Sequence, residues 1–425
     1  IMPATLSTVN ATFRGRYRAA AFGVWGAVIS GAAAIGPLAG GALTQYASWQ
    51  WIFLVNVPLG LIVFITVLLW VRETRGGDNR PGADVDGALL SGIGFGAIVF
   101  AVIEGPDLGW WTPKADFNLF GFVWPKTAAV SLVPILLFVG IVALVLFVLW
   151  ERHRGRNGRS ALLDLKLFAL PTFSWGNLTA GMVAVGEFAI IFVLPLYLIN
   201  VLGLDVMTAG LILGAMAIGA FVSGASARHL AARLGAPGVV LLGLLMELLS
   251  VIVLVLVLTS SSSGWMLAAI LIVYGLGLGL ASAQLTSTVL RDVPTSESGQ
   301  GSATQSTVRQ VGTALGTAFS GAVLSLALAT TLPNALSKAG LSGAAFDGVA
   351  EQTRQSAGTM IEILRQQGAQ SSFGKDTPQV IQALAEGFSD GTRAAMLVAV
   401  VFLALGLVSA WRVRAVAKTQ SAAHE

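Results

Sequence analysis

Three carboxylates stand inside stretches that otherwise carry no charge. Glu187 sits mid-run in Phe173-Ser-Trp-Gly-Asn-Leu-Thr-Ala-Gly-Met-Val-Ala-Val-Gly-Glu187-Phe188, Glu247 in Leu244-Leu-Met-Glu247-Leu-Leu249, and Glu104 just before Gly105-Pro106. An ionised side chain at the centre of a membrane helix costs at least about 2.5 kcal/mol on insertion scales, so such residues are functional candidates by default. A carboxyl there holds a proton when its surroundings are dry and releases it when water or a cation arrives, which is the chemistry that proton-driven exchange requires. The competing explanation for each is a structural hydrogen bond to a neighbouring helix. Glu187 has no basic residue in its own apolar run to neutralise it. Glu104, at the end of its run, reads as a boundary residue that reaches water.

The elements that must position these groups are membrane helices. The chain is 55% hydrophobic and 11% charged, with a mean hydropathy of +0.79, which excludes an ordinary soluble domain. Apolar runs long enough to span a bilayer fall near 19–45, 50–71, 86–105, 128–150, 171–199, 206–227, 237–259, 264–290, 299–330 and 393–411. Residues 1–9 read as the end of a further helix. The fold class expected is therefore an all-α, polytopic transmembrane bundle. There are no cysteines, and His153, His229 and His424 lie far apart without metal-ligand spacing, so no metal site is expected. No phosphate-binding Gly-x-x-x-x-Gly-Lys-[Ser/Thr] pattern occurs and no nucleophile–base–acid set is visible, so ATP-driven pumping and enzyme activity are not expected.

The pI near 9.6 reflects topology rather than nucleic-acid binding, because the basic residues sit between apolar runs. Placing 13–18 in the cytoplasm puts 72–80, 152–166, 228–233, Arg291, Arg309 and 412–418 on that side as well, with 18 of the 25 basic residues. Five of the others lie in 331–393, a segment long enough to escape the bias, and the last two are Lys114 and Lys126. The C-terminus is then cytoplasmic and 331–392 is an extracellular soluble segment, with helical spacing over 344–367 and 377–386. It reads as a solvated cap or a substrate gate. The 107–126 insert carries Trp110, Trp111, Phe117, Phe120 and Trp124, as an interfacial aromatic belt does. Arg309 lies near the cytoplasmic end of its run, from which it can snorkel.

Small residues recur through Gly31-Ala-Ala-Ala-Ile-Gly36-Pro37-Leu-Ala-Gly40-Gly41-Ala42, a stripe along which two helix backbones can meet. Gly210, Gly214, Gly219 and Gly224 form a second stripe, and Gly312-x-x-x-Gly316 a third. Gly36-Pro37-x-x-Gly40-Gly41 resembles the antiporter motif in the fifth helix of proton-coupled exporters of the major facilitator superfamily, with Ala32 where that family often has Gly. Ser48-Trp49-Gln-Trp51-Ile-Phe-Leu-Val-Asn56-Val-Pro58-Leu-Gly60 resembles the opening of the sixth helix in the fourteen-spanner EmrB/QacA-type drug:proton antiporters.

That resemblance implies two six-helix bundles with two extra helices between them. It assigns 1–71 to the end of helix four and helices five and six, 72–150 to the extra pair, 151–170 to a cytoplasmic loop, and 171–330 to helices seven to eleven. The external segment 331–392 follows, then the last helix and tail at 393–425. It also implies that the first three helices and most of the fourth are missing, so that the sequence is N-terminally incomplete. In the family plan the helix of Glu187 lines the central cavity, making Glu187 the coupling group. The helix of Glu247 is peripheral there, so Glu247 reads first as a structural pairing or subunit contact. Asn177, Tyr197 and Tyr274 are possible cavity-lining groups, each able instead to satisfy a backbone atom. The stripe from Gly210 opposes the Gly36-Pro37 helix across a seam between bundles, where helices slide during alternating access, and Gly312 and Gly316 are counted with that seam. The loop Gly224-Ala-Ser-Ala-Arg228-His-Leu-Ala-Ala-Arg233 keeps the basic residues of its family counterpart without an acidic partner.

The function implied is proton-coupled export of small amphipathic or cationic compounds from a plasma (inner) membrane. It draws on a proton gradient and on no bound cofactor, ATP or nucleic acid. Export of one native metabolite, peptide-like or siderophore-like, is the alternative within transport. A non-transporting sensor or scaffold of the same fold is the alternative outside it.

Overall fold

Apolar length decides the architecture. The computed structural model describes residues 39–71, 84–119, 121–159, 161–294 and 297–422, with isolated positions between 5 and 36. Among the described residues, nine helices are long and apolar enough to cross a bilayer. In chain order the elements are α1 (Trp51–Trp70), α2 (Val85–Leu108), a hairpin of β1 (Phe117–Leu119) and β2 (Phe122–Trp124), then α3 (Leu132–Arg156) and α4 (Pro171–Leu196). They continue with α5 (Val206–Leu234), α6 (Ala236–Val257), α7 (Gly264–Val289) and α8 (Ser298–Lys338). Two short helices, α9 (Ala344–Gln355) and α10 (Thr359–Gln367), precede the last, α11 (Thr377–Ala422). The all-α membrane bundle expected from composition is what forms. Most of the 19–45 run, with Pro37, and nearly all of the loops 13–18 and 72–80 lie outside the described residues.

Side chains start several helices by accepting from otherwise orphaned backbone donors. Asp84 accepts from Gly87 N at 2.9 Å, Ser131 from Val133 N at 3.3 Å and Asp205 from Thr208 N at 3.0 Å, while Pro171 occupies the first turn of α4. Asp84 does more than cap. Its carboxylate also accepts from Trp150 Nε1 at 2.9 Å and Leu162 N at 3.2 Å and lies 3.5 Å from Arg154 Nε, tying α2 to α3 and to the loop after it. Burial opposes its ionisation, but the hydrogen bonds it accepts outweigh burial and hold it below the usual aspartate range.

Helices α4 to α8 and α11 form one bundle, and glycines set its contacts. A Cβ at Gly219 would overlap the Ile272 carbonyl, and at Gly275 and Gly279 the Met216 and Ala220 carbonyls, so α5 and α7 meet backbone to backbone. At Gly243 it would lie 2.6 Å from Gly277 O, bringing α6 onto α7. At Gly312 it would lie 2.7 Å from Gly181 O, and at Gly316 it would overlap Val185 O, which aligns α8 in parallel with α4. In lipid, apolar burial alone does not hold helices together, so close approach at small residues supplies the packing. Gly219, Gly312 and Gly316 thus pack inside this bundle and not across a seam between two bundles, which corrects the expectation. Gly210 and Gly214 are buried on α5. Of the Gly36-to-Gly41 stripe, a Cβ at Gly36 or Gly40 would meet nothing within 4 Å among the described residues. Gly41 is the contact. A Cβ there would lie 3.3 Å from Val206 O at the start of α5, and beside it Gln45 Oε1 accepts from Met207 N at 3.1 Å. The signature residues Trp49, Trp51 and Pro58 are exposed, and Asn56 donates to Ile52 O in its own helix.

The segment expected as a loop over 331–392 is largely helix. α8 runs 41 residues, about 60 Å at 1.5 Å per residue, and only 339–376 separates it from α11. Leu332, Leu336, Val380, Leu384 and Phe388 carry the buried stripes of both helices onward, which is why they do not stop at the edge of the bilayer. Helices α9 and α10 close over this end as a cap through Val349, Ile361 and Leu364. Asn200 Nδ2 donates to Ala357 O at 2.9 Å, Arg365 donates to Val201 O at 3.1 Å, and Arg354 donates to Ser325 Oγ at 2.8 Å. The aromatic insert folds as the β1–β2 hairpin, with Trp124 Nε1 donating to Val130 O at 3.0 Å.

Candidate functional site

The glycine contacts between α4 and α8 decide what Arg309 can reach. Val308 packs at Gly181, one turn of α8 before Gly312, and the next residue's side chain extends along α4 toward the middle of the bundle. There the Arg309 guanidinium lies 3.6 Å from Glu187 Oε2. The expected snorkelling of Arg309 to the interface gives way to this inward reach, and Glu187, which lacks a cation in its own helix, receives one from α8. The pair is unequal in exposure. Its side chains are 6% accessible for Glu187 and 31% for Arg309, so Arg309 forms the outward face of the site.

Glu247 corrects the sequence reading more strongly. It has no accessible surface at all, so it faces the bundle interior and not a subunit contact. The reason lies in Gly277 of α7. The missing side chain there leaves room for Glu247, whose Cγ would sit 3.0 Å from a Cβ at that position. Both Glu247 oxygens, Glu187 Oε1 and the Tyr274 hydroxyl lack a hydrogen-bond partner among the described residues. Removing an ion from water carries an effective penalty of several kcal/mol.

Asn177 and Tyr197 take the backbone roles left open for them. Asn177 donates to Phe173 O at 2.9 Å, and Tyr197 donates to Thr259 O at the end of α6. Glu104 is half-buried near the end of α2. Tyr274 is buried on α7 and lines no open space.

In front of Arg309 is a cavity of about 120 Å³, walled by Trp25, Phe188, Thr286, Gln305 and Thr313. Gln305 Nε2 donates to Thr286 Oγ1 at 3.2 Å, while its Oε1 is unpaired among the described residues. The volume equals that of about four waters at ~30 Å³ each. Pockets for drug-sized ligands measure about 300–1,000 Å³, so the space must open to admit one. Sequence reasoning missed Gln305 and Thr286. The available signal was the polar run Gln300 to Gln310 at the start of an apolar-length helix, with Gln305 and Arg309 in successive turns.

Residues 1–317 match the Major Facilitator Superfamily. The multidrug resistance protein Stp of Mycobacterium tuberculosis is 28% identical over 414 residues, 96% of this chain and 71% of that protein. The puromycin resistance protein pur8 of Streptomyces alboniger is 31% identical over 75% of this chain and 59% of its own length. The riboflavin transporter RibZ of Clostridioides difficile is 26% identical over 75% of this chain and 64% of its own. A solved bacterial homologue of the human lysosomal transporter Spinster, in an inward-facing and occupied conformation, aligns over 96% of this chain with a TM-score of 0.41 and 18% identity. With the match covering most of the chain and a bundle of membrane-length helices behind it, this protein belongs to the Major Facilitator Superfamily.

Proposed function

We propose that the protein exports small amphipathic or cationic compounds from the cytoplasm in exchange for protons, by alternating access, in the manner of the fourteen-spanner EmrB/QacA-type branch. The observation that carries this reading is Arg309 in the wall of a small cavity, paired at 3.6 Å with the buried carboxylate of Glu187. A titratable group between a cavity and a dry core is what couples a proton to a solute. The names of relatives associated with multidrug and puromycin resistance support export of amphipathic compounds. The relative named as a riboflavin transporter supports, as a second reading, carriage of one native metabolite.

The test is efflux from proteoliposomes containing the full-length protein under an imposed pH gradient, with ethidium as the reporter. Gradient-dependent movement that a protonophore stops is the expected result, and no movement with or without the gradient overturns the reading. Riboflavin assayed in the same vesicles separates the second reading from the first.

The orientation proposed places Arg156 in the cytoplasm and Ser356, on the cap, outside, because that split keeps most of the basic residues inside. Single cysteines at these positions are expected to differ in intact cells, with an impermeant maleimide labelling 356 and sparing 156. The reverse pattern refutes the orientation.

A further inference from the structure

The end of the bundle where α5 stops, α6 begins and α11 leaves carries charge of a single sign. No acidic residue stands between Asp205 and Glu247 or between Asp390 and Lys418, whereas Arg228, Arg233, Arg412 and Arg414 fall within those stretches. Here α6 and α11 separate around a groove of about 570 Å³. Leu241, Leu242 and Leu245 form one wall and Leu407, Val408 and Trp411 the other, with Gly238 and Arg414 at the end where α6 starts. Leu245, Val408 and Trp411 are exposed, so the groove opens toward the bilayer. On both helices seven residues, or about 10 Å, separate its charged end from its deepest leucine. The groove thus grades from guanidinium to hydrocarbon along its length.

Arg414 lies against α6 because Gly238 has no side chain. A Cβ there would lie 3.9 Å from Arg414 Cζ and 3.2 Å from Leu234 Cβ. Arg412 Cζ sits over the ring of Trp411, 5.7 Å from its centroid. Arg414 is half-buried, and neither guanidinium has a carboxylate or hydrogen-bond acceptor among the described residues. A charged group set against apolar side chains without a counter-ion is unfavourable, so this end of the groove calls for an anion.

We infer that the groove holds one anionic phospholipid, with its phosphodiester on Arg414 and Arg412 and an acyl chain along Leu241, Leu245 and Leu407. Basic pockets between membrane helices take anionic head groups in this way. A cationic amphiphile is repelled by the arginines, and an ethanolamine lipid brings an ammonium to an end with no carboxylate to receive it. Free phosphate leaves the leucine wall uncovered. The lipid bridges α6 and α11 and so ties the last helix to the bundle. The inference needs the bilayer and does not depend on the export reading.

The experiment is mass spectrometry of the intact purified full-length protein in detergent, titrated with phosphatidylglycerol, phosphatidylethanolamine or inorganic phosphate. The parent is expected to retain one phosphatidylglycerol, at least about fivefold more tightly than phosphatidylethanolamine. Arg414→Gln is expected to remove that preference, and Arg156→Gln, an exposed arginine outside the groove, to leave it unchanged. Phosphatidylglycerol carrying a photoreactive group on its chain gives a readout that needs no variant, and its label is expected on the 238–245 and 407–414 stretches of the parent. Equal retention of the two lipids, loss of the preference in Arg156→Gln as well, or parent-like preference in Arg414→Gln overturns the inference. So does displacement of the lipid by inorganic phosphate, which marks a site for the anion alone. Label absent from both stretches, or a dimer that retains no lipid, overturns it in favour of protein covering the groove.

Discussion

Glu187→Gln is expected to abolish proton-driven efflux of cationic substrates while the protein remains folded in the membrane. Glutamine keeps the volume and hydrogen-bonding capacity of the protonated acid but cannot ionise. Removing one member of a fully buried ion pair costs about 3–5 kcal/mol. The cost is smaller here because the Arg309 side chain, at 31% accessible, can turn to the cavity. Abundance should therefore fall little, whereas transport should fall at least about tenfold, since a 1.36 kcal/mol loss already gives that factor. Ethidium efflux under a pH gradient, compared at matched membrane abundance, is the measurement. Parent-like efflux from Glu187→Gln alongside failure of Glu247→Gln would move the coupling role wholly to α6.

Gly275→Leu is expected to prevent assembly, and Gly40→Leu to leave it intact. At Gly275 any Cβ overlaps the Met216 carbonyl of α5, so two backbones must separate along the most intimate contact in the bundle. Overpacking a core costs about 1–3 kcal/mol even where side chains can adjust. Here the obstacle is main chain, and the loss should consume much of the roughly 5–15 kcal/mol that holds a folded protein together. At Gly40 a side chain meets nothing within 4 Å among the described residues. Membrane abundance and thermal unfolding of the two variants in detergent decide the matter. Normal abundance of Gly275→Leu would show that α5 and α7 do not meet as described, and loss of Gly40→Leu would show a contact at that helix.

The spans were legible because bilayer thickness imposes a length that hydropathy records directly, as at Leu132–Arg156 and Ala236–Val257. Helix direction was less so. The sequence marks Gly219, Gly312 and Gly316 as close-packing positions, but a small residue says that something approaches and not which helix it is. The partners came from the fold, and they proved to lie within one bundle. Arg309 shows the same limit for charge. Position along a helix allows an arginine to reach outward to the interface or inward to a carboxylate. The contact of Val308 with Gly181, which chooses between them, depends on two helices more than a hundred residues apart. Glu247 was misplaced because the space it fills is created by the absence of a side chain at Gly277 on another helix. The reach of α8 and α11 beyond the bilayer was hidden by polar residues such as Thr330 and Thr331, which read as a loop although Leu332 and Leu336 continue the buried stripe.

The uninterrupted length of α8 makes it a lever arm. Arg309 stands near one end, and Ser325, which accepts from Arg354 of the cap, is sixteen residues farther along, or about 24 Å at 1.5 Å per residue. A rocking of about 10° pivoted at Arg309 carries the Ser325 end through about 4 Å over that length. A tilt too small to see beside Glu187 would therefore be magnified at the cap, where a dye on α9 and a spectroscopic ruler would follow it.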